Sequence, residues 1–175
     1  MSMLDQYLKP NVKQGALYYA VVAVVLGIIG LIPFLNCLAA PFTFLIWLVL
    51  PFAVGWLVAQ WGETMPATKT PFVVQSTSPY ATPAVDGAVA AGAGALASGV
   101  VVWVLRLLSD LFFAGLAGNG AGVLAAVVGG VAGIIAVIIG VVIAAVAGAI
   151  GGALYVIVKE NRAKTAPPPM NPPAA

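Results

Sequence analysis

The stretch GVVIAAVAGAIGG at residues 140–152 decides the fold of this chain. Eight of its thirteen residues are Gly or Ala, none is larger than Ile, and no charge follows until after Val158. Such a segment has no polar face for water and little side-chain volume for a core in a soluble protein. It is typical of a transmembrane helix, because small residues let helices approach one another closely in lipid.

The composition of the whole chain has the same character. Of its 175 residues, 62% are hydrophobic and only 7% are charged, whereas about 25% of residues are charged in a typical soluble domain. So few charges cannot cover a surface that faces water. The composition therefore predicts an all-α integral membrane protein, a polytopic helical bundle.

Two apolar runs near the N-terminus predict a first hairpin. Residues 16–35 and 42–60 each have about the 20 residues that a helix needs to cross a bilayer, and only NCLAAP at 36–41 separates them. Pro33 and Pro51 are expected to kink these helices. The first run is too long for the apolar part of a signal peptide, so we expect it to stay in the protein.

The second half of the chain predicts another hairpin, but its boundaries stay open. Residues 61–86 are rich in Pro, Thr and Ser and are expected to form a loop. Spans are expected at 87–105 and 137–158. Residues 111–136 are also apolar. They are expected to form an interfacial or re-entrant segment, an extension of one long tilted helix, or a fifth span.

The Lys and Arg residues favour four spans, with both termini on one side. Six of the seven then lie on that side, with Arg106 alone opposite, and the cytoplasmic side normally carries the excess. The compact size favours a prokaryotic cytoplasmic membrane. We expect a cytoplasmic segment at 1–15, a transmembrane hairpin at 16–60, a polar loop at 61–86, a Gly/Ala-rich transmembrane region at 87–158, and a basic, then Pro-rich tail at 159–175.

The residues needed for catalysis are missing from the predicted spans. The chain has no His, and the single Cys37 cannot form an internal disulfide. All five acidic residues fall outside the predicted spans. We therefore expect no catalytic residue, no metal, no cofactor and no nucleic-acid partner.

Small residues recur every fourth position in the second half of the chain, which keeps them on one side of a helix. Such stripes are expected to pack against other helices, although a composition this rich in Gly and Ala also produces them by chance. We expect Gly148→Leu to disrupt association without unfolding the chain. The three stripes are Gly87, Ala91, Ala95 and Gly99; Gly118, Gly122, Ala126 and Gly130; and Gly140, Ala144, Gly148 and Gly152.

Arg106 and Asp110 are the remaining pair of interest, because residues four apart share a helix face. They either mark the boundary between membrane and water or form an ion pair beside a polar path that includes Asn119. We expect an accessory or scaffolding subunit of a larger membrane complex, or a homo-oligomer, with membrane lipid and other transmembrane helices as partners. The alternative is a transport or channel component that uses the polar path.

Overall fold

A computed structural model describes residues 9–64, 78–116, 118 and 120–165, and within 33–44 it describes only the side chains of Phe34 and Phe42. The described part contains four helices, each with a segment long and apolar enough to cross a membrane. The predicted all-α bundle of four transmembrane helices is confirmed. The helices are α1 at Pro10–Leu31, α2 at Pro33–Thr64, α3 at Ala81–Leu116 and α4 at Gly120–Thr165.

The break between α1 and α2 lies at Ile32, not in the segment 36–41 where the sequence predicted it. Ile32 has extended backbone angles, φ −91° and ψ 110°, and Pro33 begins the next helix. A proline disfavours helical angles in the residue before it and has no N–H to continue a helix. Pro33 therefore separates two helices instead of kinking one.

In the described residues of the segment 111–136, the chain adds no helix beyond α3 and α4, so the fifth-span expectation is wrong. Helix α3 continues to Leu116 and α4 begins at Gly120, so both helices extend into this region. Gly118, between them, has φ +60°, a left-handed conformation that glycine adopts without strain. The two helices therefore form one long hairpin.

The expected loop at 61–86 is helical at both ends. Helix α2 continues to Thr64 and α3 begins at Ala81, so Glu63 and Asp86 are helical residues. Residues 65–77 lie outside the described part of the chain, as does the tail from 166 onward.

Helices α2 and α3 each contact all three other helices. Helix α1 packs against α2 and α3, α4 packs against α3 and α2, and α2 touches α3 across the bundle. In the described residues α1 and α4 do not meet. Among the described residues, the largest fully buried side chains are Tyr19, Val58 and Ser98, so close approach of the helices replaces a bulky core.

Candidate functional site

Three glycines bring α2, α3 and α4 together at one level of the bundle. A Cβ added to Gly55 or to Gly87 would collide with the backbone carbonyl of Gly148. A Cβ added to Gly148 would collide with the carbonyl of Gly87 and lie 2.7 Å from the Cβ of Ala91. We call Gly55, Gly87 and Gly148 the glycine junction. Only hydrogen fits at these positions, which lets backbone-to-backbone dispersion contacts accumulate.

The stripe on the last helix is divided between two environments. Ala144, Gly148 and Gly152 are buried, and a Cβ on Gly152 would collide with the carbonyl of Pro83. Gly140, one turn before Ala144, has open space where its Cβ would be. Most of this stripe thus meets the chain's own helices, so Gly148→Leu is now expected to destabilise the fold itself and not only to disrupt association. The added side chain would strike α3 of the same molecule.

The stripe on α3 also packs within the chain. Gly87, Ala91 and Ala95 are buried. At Gly99, an added Cβ would lie 3.0 Å from Cγ1 of Val137 on α4. These small residues form part of the α3 side of the most extensive helix–helix contact in the bundle.

The middle stripe is only partly helical. Gly118 lies in the turn before α4, whereas Ala126 is buried on α4 and Gly122 is half-buried. Gly130 accepts a hydrogen bond of 2.8 Å from Nε1 of Trp103. Gly-Asn-Gly at 118–120 is a typical turn sequence, and this signal could have separated Gly118 from the stripe.

Gly55, the α2 member of the glycine junction, was not predicted from the sequence as a packing residue. The repeat of small residues is short here, because Gly55 and Ala59 are a single pair four residues apart between bulkier neighbours. Both residues are buried. A single pair of small residues is common by chance, so only the arrangement of the helices gives it meaning.

Polar side chains connect the helix ends on the side where α1 begins and α4 ends. Nζ of Lys9 lies 2.8 Å from a carboxylate oxygen of Asp86, which ties α1 to α3. Nζ of Lys159 lies 2.6 Å from Oε1 of Glu63, which ties α4 to α2. We call this side the basic end of the bundle.

Two further hydrogen bonds strengthen the basic end. The buried amide of Asn11 donates to the carbonyl of Val58. The hydroxyl of Tyr80 donates to Glu160 across 2.6 Å, and this hydrogen bond, followed by desolvation and the repulsion of the carboxylate, raises the pKa of Tyr80 above its usual value of 10.0. Each of the four helices is therefore fixed by at least one polar contact at this end.

In the other half of the bundle, a cavity of about 440 Å³ lies between α2 and α4. Helix α3 forms its back, with Gly99 and Trp103, and Tyr19 of α1 also reaches it. Trp47 on the α2 side and Gly140 on the α4 side are both partly open to the surroundings. The cavity, which we call the lateral cavity, therefore opens sideways toward lipid.

Arg106 and Asp110 lie at the end of the lateral cavity that is farther from the basic end. Arg106 lines it, and both residues line an adjoining cavity of about 330 Å³. Among the described residues, the side chains of Arg106 and Asp110 form no hydrogen bond or ion pair, either with each other or with another residue. The structure thus places this predicted pair together at a cavity, while Asn119 lies outside the described residues.

Beyond Arg106, α3 and α4 continue without α1. Gly27 faces Val102, and α1 ends four residues later at Leu31, so the last ten residues of α3 extend past it. We call residues 107–116 and 120–129 the α3–α4 tip. Five large apolar side chains of the tip are more than 60% exposed, namely Phe112, Phe113, Leu116, Leu124 and Val128.

Comparison of the chain with protein-family models, with curated proteins and with solved structures found no match.

Proposed function

We propose that the protein is a non-enzymatic accessory or scaffolding subunit of a larger membrane complex, or a homo-oligomer, and that it joins its partners through the α3–α4 tip. The observation that carries this proposal is the length of the uncharged part of α4. Residues 120–158 contain no charge and extend for about 58 Å at 1.5 Å per residue. The hydrocarbon core of a bilayer is only about 30 Å thick.

Tilting does not resolve this mismatch. At a tilt of about 40°, the upper end of the usual range, α4 would still extend about 45 Å along the membrane normal. Either the exposed Phe112 and Leu124 of the tip stand in water, or Arg106 and Asp110 lie inside the hydrocarbon. Both placements are unfavourable, since large apolar patches associate and buried charges cost free energy.

A partner that covers the tip removes this conflict. Arg106 and Asp110 can then lie at the membrane surface, while apolar side chains of the partner surround Phe112, Phe113 and Leu124. The small-residue stripes support this role indirectly, because they hold α3 tightly against α4 and so give the tip a rigid base. The partner is another transmembrane protein or a second copy of this chain.

Gly115→Leu tests the proposal. A Cβ added to Gly115 has no neighbour within 4 Å in the described part of the chain, so the variant should fold normally but obstruct a partner at the tip. After gentle extraction into detergent, native mass spectrometry should show an assembly heavier than the 17.7 kDa chain for the wild type. The fraction of the variant found in the assembly should be at least tenfold lower than for the wild type.

Ile138→Phe is the matched control, because Ile138 is 59% exposed on the part of α4 within the membrane. It adds bulk away from the tip and should retain the assembly. A wild-type chain that migrates alone, or a Gly115→Leu variant that keeps its partner, would overturn the proposal.

A transport or channel component is the second candidate, because Arg106 and Asp110 meet at a cavity. In a background with Cys37 replaced by Ala, single cysteines at 98, 106 and 110 can be treated with a membrane-impermeant thiol reagent. Reaction at the buried position 98 would support a polar path. Reaction at 106 and 110 alone would favour a boundary position for the pair.

For the location, we propose a prokaryotic cytoplasmic membrane with the basic end on the cytoplasmic side. Lys9 and Lys159 at that end support this orientation. Protease protection of tags fused to each terminus in sealed vesicles tests it.

A further inference from the structure

We propose that the lateral cavity binds one acyl chain of a zwitterionic phospholipid from the surrounding bilayer, and that Arg106 and Asp110 bind its head group, with ethanolamine preferred. This site goes beyond the proposed scaffolding role and does not depend on it. The proposal stands on the size and lining of the cavity, the direction in which it opens, and the order of the two charges along α3.

The size of the cavity selects the kind of occupant. At about 440 Å³ it falls within the range of about 300–1,000 Å³ that is usual for small-molecule sites. A second helix, about 10 Å across with its side chains, needs more room. Trp47, Trp103 and Gly140 give an almost entirely apolar lining, which suits a hydrocarbon chain.

The opening of the cavity selects the source of the ligand. Helices α2 and α4 meet at the glycine junction, but Gly140 has no neighbour within 4 Å of an added Cβ. Leu48 and Ile143 at the margins are 54% and 60% exposed. In a membrane this opening faces lipid, so an acyl chain can enter sideways without crossing water.

The depth of Arg106 agrees with a head-group position. Asp86, at the basic end, and Arg106 are 20 residues apart on α3, which corresponds to about 30 Å, the thickness of the hydrocarbon core. With Asp86 at one surface, Arg106 lies at the other. Asp110 then lies about 6 Å farther out, one helical turn beyond Arg106.

The order of the charges selects the head group. In a zwitterionic phospholipid the phosphate is nearer the acyl chains, and the cationic group lies farther out. Arg106 lies next to the cavity and its guanidinium can bind the phosphate through two N–H groups. Asp110 does not line the lateral cavity and lies at the level of the cationic group.

Asp110 also distinguishes between head groups. A carboxylate accepts hydrogen bonds from a primary ammonium group, whereas choline has no N–H to donate. An anionic glycerol head group would place no positive charge beside Asp110. The pair therefore favours ethanolamine over both.

Native mass spectrometry of the protein in nanodiscs tests the site, with phosphatidylethanolamine, phosphatidylcholine and phosphatidylglycerol mixed in equal amounts. We expect ethanolamine lipid to be retained at least tenfold more than either of the others. Arg106→Gln should lower retention of all three. Asp110→Asn should lower only the preference for ethanolamine.

Gly140→Leu tests the cavity directly, because the new side chain would enter open space. It should lower lipid retention at least tenfold and leave the helical content unchanged. Gly115→Leu, which adds the same bulk outside the cavity, should retain lipid even where it loses a protein partner. Equal retention of the three lipids, a preference for glycerol, or no effect of Gly140→Leu would overturn the proposal.

Discussion

Gly87 and Gly148 face each other across α3 and α4 so closely that a Cβ on either residue would collide with the backbone carbonyl of the other. This reciprocal contact holds the longest helix of the bundle against its neighbour. Because backbone atoms are involved on both sides, rotation of a side chain cannot relieve an added methyl group. The two helix axes would have to separate.

The first prediction follows from this contact. We expect Gly148→Ala to lower the free energy of unfolding by about 1–3 kcal/mol, the usual cost of overpacking a close-packed core. Gly140→Ala on the same helix should instead raise it by about 0.5–1 kcal/mol, because it meets no neighbour and alanine favours helix over glycine. Denaturation in mild detergent, followed by circular dichroism, measures both.

Opposite signs for the two substitutions are the essential result. A Gly148→Ala variant as stable as the wild type would show that α3 and α4 do not meet through this pair. Gly55→Ala serves as a second probe, because Gly55 contacts the same carbonyl from α2.

The sequence predicted the class of protein and the number of helices because both depend on composition and length. It predicted Gly87 and Gly148 as packing residues, but it could not say that they pack against each other. That depends on the relative heights of α3 and α4, which no local pattern fixes. From the sequence alone, Gly148 could therefore contact either this chain or another molecule.

The helix boundaries were harder to predict, for local reasons. Pro33 is compatible with either a kink or a break in the helix, and the sequence around Ile32 does not distinguish between the two. Residues 111–136 have one polar residue in their interior, so hydropathy alone could not find the turn near Gly118. The lateral cavity could not be predicted from the sequence, because it depends on the separation of α2 and α4. It lies between them on the side of the glycine junction away from the basic end.

The second prediction compares the two ion pairs at the basic end. The side chains of Lys9 and Asp86 are 19% and 15% exposed, whereas those of Lys159 and Glu63 are 57% and 42% exposed. We expect Asp86→Asn to cost about 1–2 kcal/mol of stability, since removing one partner leaves a partly buried charge uncompensated. Glu63→Gln should cost less than about 1 kcal/mol, as exposed pairs usually do.

Salt provides the check on this comparison. Raising the salt concentration should reduce the small effect of Glu63→Gln further, because exposed charges are screened, and should change the effect of Asp86→Asn less. Equal losses for the two variants, or equal salt dependence, would contradict the difference in burial.

The third prediction concerns the pH dependence of the contact between Tyr80 and Glu160. The hydroxyl of Tyr80 must keep its proton to donate to the carboxylate, and the pKa of Tyr80 is raised above 10.0 in the folded chain. A raised folded pKa means that the contribution to stability is fully present below pH 10. It is lost as the pH rises through the folded pKa.

Ultraviolet absorbance during an alkaline titration measures this ionisation. In Glu160→Gln the acceptor loses its charge, so Tyr80 should ionise at a lower pH than in the wild type. Tyr80→Phe should remove one tyrosine from the titration, and in that background adding Glu160→Gln should make no further difference. If Glu160→Gln left the titration unchanged, the hydrogen bond between Tyr80, just before α3, and Glu160 near the end of α4 would not exist in the membrane protein.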